Sequence, residues 1–259
     1  MAFQWCEPIE WRRPGACDGP AASLPGAGAR WLRNTALLQH DHPKIRLLAL
    51  RLTQLKGGPA DKAVACYQHV RQLPFACAAD APHTTSVGVL GAQAGDAFTK
   101  STLLIALLRS LGIPARARVV ALQPDFLWGL MDISGRAIEH VITEILIDGQ
   151  WLGVDSYVVD LALGLQARNQ LLRQGRKRGW GVHMNGEVAW NGTSHSLALF
   201  HPREPESLPL HELGVFDDVG EFCECGTGQA PPSWARKQQW AIAAAMINWR
   251  VRKLREGTL

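Results

Sequence analysis

The sequence predicts an α+β protein in which one buried helix packs against an antiparallel sheet. Residues 103–111 are apolar on almost every side of a helix, which is typical of a helix at the centre of a domain. Residues 139–159 contain two β-rich runs joined by Asp148 and Gly149, a dipeptide that suits the tight turn of a β-hairpin. Because 47% of the 259 residues are hydrophobic, the chain can bury such a core.

The segments before this buried helix are predicted to be helical as well, after an extended N-terminal stretch. Residues 13–29 are rich in Gly, Pro and Ala and show no periodicity. A first helix is expected after Asp41 as its cap, and a second after Asp61, ended by Pro74. Residues 115–122, which follow the buried helix, predict a strand. The first helix is indicated by apolar residues at helical spacing, which are Ile45, Leu48, Leu52 and Leu55.

Beyond the hairpin the patterns are weaker. We expect a helix near residues 160–174, a strand region rich in Gly and Trp at 179–200, and a last helix from about Ser233. One apolar stripe on the last helix is formed by Trp240, Ala244, Ile247, Val251 and Leu254. We divide the chain into three parts that form a single globular unit. These parts are a lead-in at residues 1–30, a core at 31–160 and an extension at 161–259 that packs on the core.

The composition excludes several classes of partner. The net charge of +4 is small, and the one basic cluster is expected to be a solvated loop, because stacking aromatic residues do not interleave with it. No apolar run reaches the length of a membrane span, and the N-terminal residues lack the apolar run of a signal peptide. We therefore expect neither nucleic acid nor a membrane as a partner. The basic cluster comprises Arg173, Arg176, Lys177 and Arg178.

The six cysteines indicate a reducing compartment. They show neither a repeated metal-ligand spacing nor the framework of a small disulfide-rich domain, so we expect a cytoplasmic location. Cys223 and Cys225 lie near His211, but their spacing differs from that of a zinc knuckle. We therefore expect no metal site and no cofactor.

The hairpin brings two polar residues to one face of the sheet. With a two-residue turn at Asp148 and Gly149, paired residues have numbers that sum to 297, so His140 lies opposite Tyr157. Asp155 is two residues from that partner and points to the same face as His140, at a diagonal distance of about 7 Å between backbones. A carboxylate there would hold the imidazole in one tautomer and one orientation, as the third member of a catalytic triad does.

The start of the buried helix has the features of a nucleophile site without the nucleophile. Gly95 and Asp96 provide a tight turn and a capping acid, and a thiol in the first turn would lie at the positive end of the helix dipole, which lowers its pKa. The residue at that place is Ala97. The other cysteines lie elsewhere in the chain, so we expect none of them to replace the missing thiol.

Two stretches resemble the transglutaminase-like superfamily, which shares the papain-like cysteine-enzyme fold. They are GDAFTKSTLLIALLRSLGIPAR at residues 95–116 and EHVITEILIDGQWLGVDS at 139–156. The resemblance covers residues 40–160 and implies a nucleophile helix packed on an antiparallel sheet. It puts Ala97 at the position of the catalytic cysteine, His140 at the base and Asp155 at the orienting acid. The aromatic residue often found two residues after the histidine is Ile142 here.

The resemblance implies acyl transfer or amide hydrolysis through a Cys-His-Asp triad. The substrate would be a peptide, a protein or a small acyl or amide compound, with Gln93 as a candidate oxyanion donor next to the backbone N–H groups of the helix start. With Ala97 the chain is expected to be inactive, and we favour an engineered Cys-to-Ala replacement because His140 and Asp155 are both present. The alternative is a natural pseudoenzyme that binds a peptide or acyl ligand in the cleft. Substrate identity and oligomeric state stay open.

Overall fold

The computed structural model describes residues 28–131, 137–225 and 234–258. These residues form helices, one four-stranded antiparallel sheet and a smaller two-stranded sheet, so the predicted α+β fold class is confirmed. The helices are α1 (Pro43–Thr53), α2 (Pro59–Gln72), α3 (Ser86–Ala92), α4 (Ala97–Ser110), α5 (Leu161–Arg173), α6 (Val219–Cys225) and α7 (Trp234–Arg255). The strands are β1 (Ala115–Leu122), β2 (Ile138–Ile147), β3 (Gln150–Val154), β4 (Arg178–Gly179), β5 (Val182–His183) and β6 (His211–Phe216).

The main sheet has the strand order β3-β2-β1-β6, with antiparallel pairing throughout. Ile147 lies opposite Gln150, and the pairs continue in the predicted register to Thr143 opposite Val154. The predicted pairing of His140 with Tyr157 is wrong, because β3 ends at Val154 and Asp155 N donates to Ser196 O instead. Asp148 and Gly149 both have positive φ angles, of 49° and 79°, which is the conformation of a type I′ turn.

Helix α4 is the central element of the fold and packs on one face of this sheet. Its residues from Thr99 to Arg109 are buried, as the apolar pattern predicts. On the facing strand, Val141 and Ile145 join the same hydrophobic core as the leucines of α4. Because side chains alternate along a strand, the residues between them face away from the helix. Ile142 accordingly packs in a separate cluster with Leu197, Leu199 and Phe200 on the opposite face.

Three elements were missed by the sequence analysis, and one predicted region was wrong. Strand β6 pairs with β1 and forms an edge of the sheet, and α3 and α6 are short helices of seven residues each. The region 179–200, predicted to be a strand region rich in Gly and Trp, contains β5, the end of β4 and an isolated bridge between Ser196 and Val154. Its other backbone groups bond irregularly to neighbouring segments, as Glu187 N does to Leu197 O.

Two helix starts and one buried residue differ from the prediction. The cap of α1 is His42, whose Nδ1 accepts from Lys44 N, because Asp41 is bound by Asn34 instead. Helix α2 begins at Pro59, so Asp61 lies inside its first turn rather than at the cap. In α7 the predicted stripe is buried from Ala244 onward, whereas Trp240 is 41% exposed.

The parts of the chain outside the core pack on it as follows. Helices α5 and α7 share a second hydrophobic cluster that contains Leu163, Leu171, Val251 and Leu254. The predicted lead-in lies almost wholly outside the described residues, since these begin at residue 28. The division at residue 160 stays a prediction. In the described residues, no helix combines the length and the apolar character that a bilayer crossing requires.

Candidate active site

The start of α4 is built by a reciprocal pair of hydrogen bonds. Asp96 precedes the helix, and its Oδ1 accepts from Thr99 N at 3.0 Å, while Thr99 Oγ1 accepts from Asp96 N at 2.8 Å. This capping box satisfies two of the four N–H groups that a helix start leaves without a partner. The two that it does not use belong to Ala97 and Phe98. They point to the region where the positive end of the helix dipole would stabilise an anion.

His140 and Asp155 form a buried pair, as the hairpin register predicts. The distance between His140 Nε2 and Asp155 Oδ2 is 3.0 Å, and both side chains are at most 4% exposed. The second carboxylate oxygen, Oδ1, accepts from Ala198 N at 2.6 Å. The acid is therefore held from two sides, and it fixes the ring of His140 through Nε2, which leaves Nδ1 as the ring nitrogen available to a reacting group.

Strand β2 runs beside α4 in the same direction. Ser101 in the second turn of α4 contacts Thr143 with 2.9 Å between the hydroxyl oxygens. At the far end, Leu146 N donates to the carbonyl of Pro114, which follows the end of α4. The first residues of β2, including His140, therefore lie toward the N-terminal end of the helix.

The strand extends past the start of the helix at this end. From Thr143 back to His140 the strand covers about 10 Å. From Ser101 back to Ala97 the helix covers about 6 Å. By alternation His140 shares the face of Ile142, which is turned away from the body of α4. The sheet separates the imidazole from the body of α4. A side chain at position 97 can therefore reach the imidazole only beyond the N-terminal end of α4.

Lys100 is a residue of this region that the sequence analysis missed. It is completely buried in the first turns of α4, and its Nζ donates to the carbonyls of Tyr157 at 3.0 Å and Val158 at 2.9 Å. Burial lowers the pKa of Lys100 to about 7. These two bonds tie the helix start to the segment that directly follows Asp155. A lysine inside an apolar helix was the available sequence signal.

The described cysteines are poorly suited to act in place of a thiol at position 97. Burial raises the pKa of Cys66 to about 12. Burial, with a smaller contribution from the charge of Asp96, raises the pKa of Cys77 to about 12. For Cys223 burial raises the pKa to about 11. A thiol with such a pKa is protonated at neutral pH and is a weak nucleophile.

The other predicted site residues are engaged in the following contacts. Gln93 ends α3 and is exposed, and its Nε2 donates to the carbonyl of Leu90 at 2.5 Å. Its role as an oxyanion donor stays a prediction. In the basic cluster, Arg178 pairs with Asp125 at 2.8 Å and Lys177 with Glu204 at 3.0 Å. Across the described ranges, no group of three His, Cys, Asp or Glu side chains could hold a metal ion.

The match to one family model agrees with the resemblance in the core. Residues 46–156 match the family model described as the transglutaminase-like superfamily. A candidate cysteine protease from Cytophaga hutchinsonii is a similar solved structure, with 21% identity and a TM-score of 0.42 over 52% of this chain and 43% of its own. A candidate protease from Parabacteroides distasonis has 18% identity and a TM-score of 0.35 over 49% of this chain and 25% of its own.

The comparisons have a limited span. This chain covers less than half the length of either solved structure, and no curated protein matches it. The family match coincides with the part of the chain that contains α4, the hairpin and Asp155. Over residues 46–156 this chain is therefore similar to the transglutaminase-like superfamily.

Proposed function

We propose that this chain has the site of a cysteine-dependent acyltransferase or amidohydrolase of transglutaminase-like type, and that Ala97 stands in the place of its nucleophile. The observation that carries the proposal is the buried pair of His140 and Asp155, with 3.0 Å between imidazole and carboxylate. Without a thiol at position 97 there is no group to attack a carbonyl, so the chain as it stands is inactive in this chemistry. The substrate would be a peptide, a protein or a small acyl or amide compound.

With cysteine at position 97, the reaction would proceed as follows. Nδ1 of His140 takes the thiol proton, and the thiolate attacks the carbonyl carbon of an amide or ester. The negative charge on the carbonyl oxygen is stabilised by the N–H groups of residues 97 and 98 at the helix start. The imidazolium then gives its proton to the leaving amine or alcohol, and water or a second amine releases the acyl group from the thioester. Asp155 stabilises the imidazolium throughout.

The state of the site favours a replaced nucleophile over a site that was never catalytic. His140 and Asp155 make the base-to-acid contact of a triad, and the capping box at Asp96 and Thr99 leaves two N–H groups unused. The imidazole–carboxylate pair is the more informative of these two features, because any helix capped in this way leaves N–H groups unused. The alternative is a natural pseudoenzyme that binds a peptide or acyl ligand. The codon at position 97 of the gene distinguishes the two, since a cysteine codon indicates an engineered replacement.

We further propose a cytoplasmic location, which the free thiols of Cys66, Cys77 and Cys223 support.

The test restores the thiol and measures its reactivity. In the Ala97→Cys variant we expect iodoacetamide to label residue 97 on the order of tenfold faster than Cys66 or Cys77, because the helix dipole and His140 hold this thiol partly as thiolate. Mass spectrometry of labelled peptides gives each rate within one sample. The added substitution His140→Ala should abolish the advantage of residue 97. A p-nitrophenyl ester should also leave one acyl group on the new thiol, visible in the intact mass.

Two outcomes would contradict the proposal. If residue 97 is labelled no faster than Cys66 or Cys77, the site is not tuned for a nucleophile. If it is labelled rapidly but the rate does not change with His140→Ala, the imidazole does not act on position 97. Either result favours the natural pseudoenzyme that binds a peptide or acyl ligand, and the chain with Ala97 would then be tested for retention of acylated peptides.

A further inference from the structure

We infer that the C-terminal helix α7 positions the turn before α4, which is formed by Gly95 and Asp96. It does so by holding residues 75–78, a segment that bonds to this turn and is called the brace below. Helix α7 lies outside residues 46–156, the part of the chain that matches the family model. The brace is residues 75–78, which connect α2 to the elements that precede α3. The effect of α7 on the reactivity of position 97 rests on the function proposed above. The effect of α7 on the positions of Gly95 and Asp96 does not.

The first step is the contact between residues 75–78 and the turn. Phe75 and Gly95 form a parallel β-bridge, with Ala76 N donating to Gly95 O at 3.0 Å. Ala78 N donates to Asp96 Oδ2 at 2.9 Å. The carboxylate that caps α4 is therefore also bound by this segment, so a shift of residues 75–78 shifts the acid that sets the helix start.

The second step is the contact between the same segment and α7. Asn248 binds the backbone of Cys77 twice, because its Oδ1 accepts from Cys77 N at 2.8 Å and its Nδ2 donates to Cys77 O at 3.0 Å. Trp240 Nε1 donates to Ala78 O at 3.1 Å. An amide side chain that pairs with both groups of one residue replaces the neighbouring strand that this segment lacks on that side.

The third step is the anchor at the end of α7. Arg255 Nη2 lies 2.6 Å from Asp160 Oδ2, and that same oxygen accepts from Phe75 N at 2.9 Å. Asp160 Oδ1 caps α5 at Leu163 N. One carboxylate thus joins α5, α7 and the first residue of the segment. Side chains of α7 accordingly hold residues 75–78 from the side opposite to Gly95, and Asn248 is a positioning residue and not a catalytic one.

Hydrogen exchange of the chain with Ala97 tests whether α7 holds the turn at Gly95 and Asp96. In Asn248→Ala we expect the amides of residues 76–78 and 95–96 to exchange on the order of tenfold faster, because local opening of the brace becomes easier. Amides of the β2–β3 hairpin should keep their rates. The matched control is Gln238→Ala, which truncates an exposed amide side chain on the same helix and should change neither region. Trp240→Phe is a milder second variant that removes only the bond to Ala78 O.

The reactivity of position 97 tests the consequence. In the Ala97→Cys background, Asn248→Ala should slow iodoacetamide labelling of residue 97 severalfold at an unchanged rate for Cys66, while Gln238→Ala leaves both rates unchanged. The inference is overturned if Asn248→Ala and Trp240→Phe leave exchange at residues 76–78 and 95–96 unchanged, or if the hairpin accelerates equally, which would indicate general destabilisation. If the exchange result holds but the thiol introduced at position 97 is unreactive before Asn248 is changed, only the proposed function fails.

Discussion

The two ends of α4 both bury a basic side chain, yet the two side chains have different kinds of partner. Near the C-terminal end, Arg109 donates to the carbonyls of Ala115, Arg33 and Asp217 and pairs with the Asp217 carboxylate at 3.3 Å. Near the N-terminal end, Lys100 donates to two carbonyls and has no carboxylate among its hydrogen-bond partners in the described residues. A cation is favoured at the C-terminus of a helix and disfavoured at the N-terminus, so the second arrangement is the less stable one.

The difference shows that the N-terminal end of α4 contributes less to the stability of the fold than the C-terminal end. The guanidinium of Arg109 stays charged at any ordinary pH, and its several donors join α4 to β1 and to the residue after β6. Lys100 lies in the first turns of α4, three residues after Ala97, and burial lowers its pKa to about 7. Destabilised groups cluster at functional sites more often than in structural parts of a protein. The contrast therefore supports a site at the N-terminal end and a scaffold at the C-terminal end.

The largest expected effect is a pH dependence of stability that comes from Lys100. Its pKa is about 7 in the folded chain, against an ordinary value of 10.5, so between these values the unfolded chain binds a proton that the folded chain does not. The free energy of unfolding therefore rises with pH in this window and is constant below it. Relative to Lys100→Met, the native chain should gain about 4 kcal/mol between pH 7 and 10.5.

Urea unfolding at several pH values measures this difference directly. The control is Lys56→Met, at an exposed lysine, which should give a flat difference across the same window. Asp160 and Asp96 raise the pKa of Lys100, and Arg255 and Arg71 lower it, but burial has the largest effect. A flat difference for Lys100→Met would mean that the lysine is charged when buried, and the contrast between the two ends would disappear.

At the other end, we expect Arg109→Met to lower the free energy of unfolding by about 3 kcal/mol, because it leaves the Asp217 carboxylate and several carbonyls without their main donor. Arg33 also contacts Asp217 and limits the loss. Unlike the effect of Lys100, this loss should be constant from about pH 7 to about pH 10, since arginine does not titrate there. A loss that varies with pH as strongly as that of Lys100 would show that the two ends do not differ in this respect.

The sequence predicts well those elements that are determined by residues within the element itself or in the adjoining turn. Helix α4 follows from a continuous apolar run, and the hairpin follows from one turn dipeptide whose pairing fixes the faces of His140 and Asp155. Strand β6 was missed because residues 211–216 show no clear alternation and pair with β1 across about ninety residues, with an irregular register between Val119 and Val120. A partner so distant leaves no periodic signal in either segment.

The same reason limits what could be predicted of the site. Lys100 binds carbonyls of residues at a sequence distance of 57 and more, and Asn248 binds Cys77 across 171 residues. Both partners are backbone atoms, which carry no residue type that a pattern could indicate. Local signals therefore predict the pair of His140 and Asp155 but not the contacts that hold the start of α4 in place.

A third prediction concerns the acid at the N-terminal end. In the Ala97→Cys background, Asp155→Asn should lower the rate of acylation by a p-nitrophenyl ester about a hundredfold, because the imidazole of His140 loses its charge partner and its fixed tautomer. The matched control is Asp148→Asn, at the exposed turn of the same hairpin, where asparagine also tolerates the positive φ angle. Its acylation rate should not change. A near-normal rate for Asp155→Asn would remove this carboxylate from the mechanism and leave the N-terminal end without a functional acid.

The smallest expected effect compares the glycines that flank α4. Gly112 has φ of +74° and open space where a Cβ would lie, so Gly112→Ala should cost about 1 kcal/mol through backbone strain alone. A Cβ at Gly95 would lie 2.5 Å from Thr99 Oγ1 and 3.3 Å from Lys100 Cγ, so Gly95→Ala should cost about 2 kcal/mol through crowding.

A double-mutant cycle separates these two causes. Thr99→Ala removes the hydroxyl that Gly95→Ala would meet, so the combined loss of unfolding free energy should be smaller than the sum of the single losses. Thr99→Ala with Gly112→Ala should be additive within about 0.5 kcal/mol, because the two residues lie at opposite ends of the helix. If both pairs are additive, the turn before α4 is no more tightly packed than the turn after it. Coupling confined to Gly95 and Thr99 would instead locate the close packing at the end that holds position 97, next to the capping box and the residues that brace it.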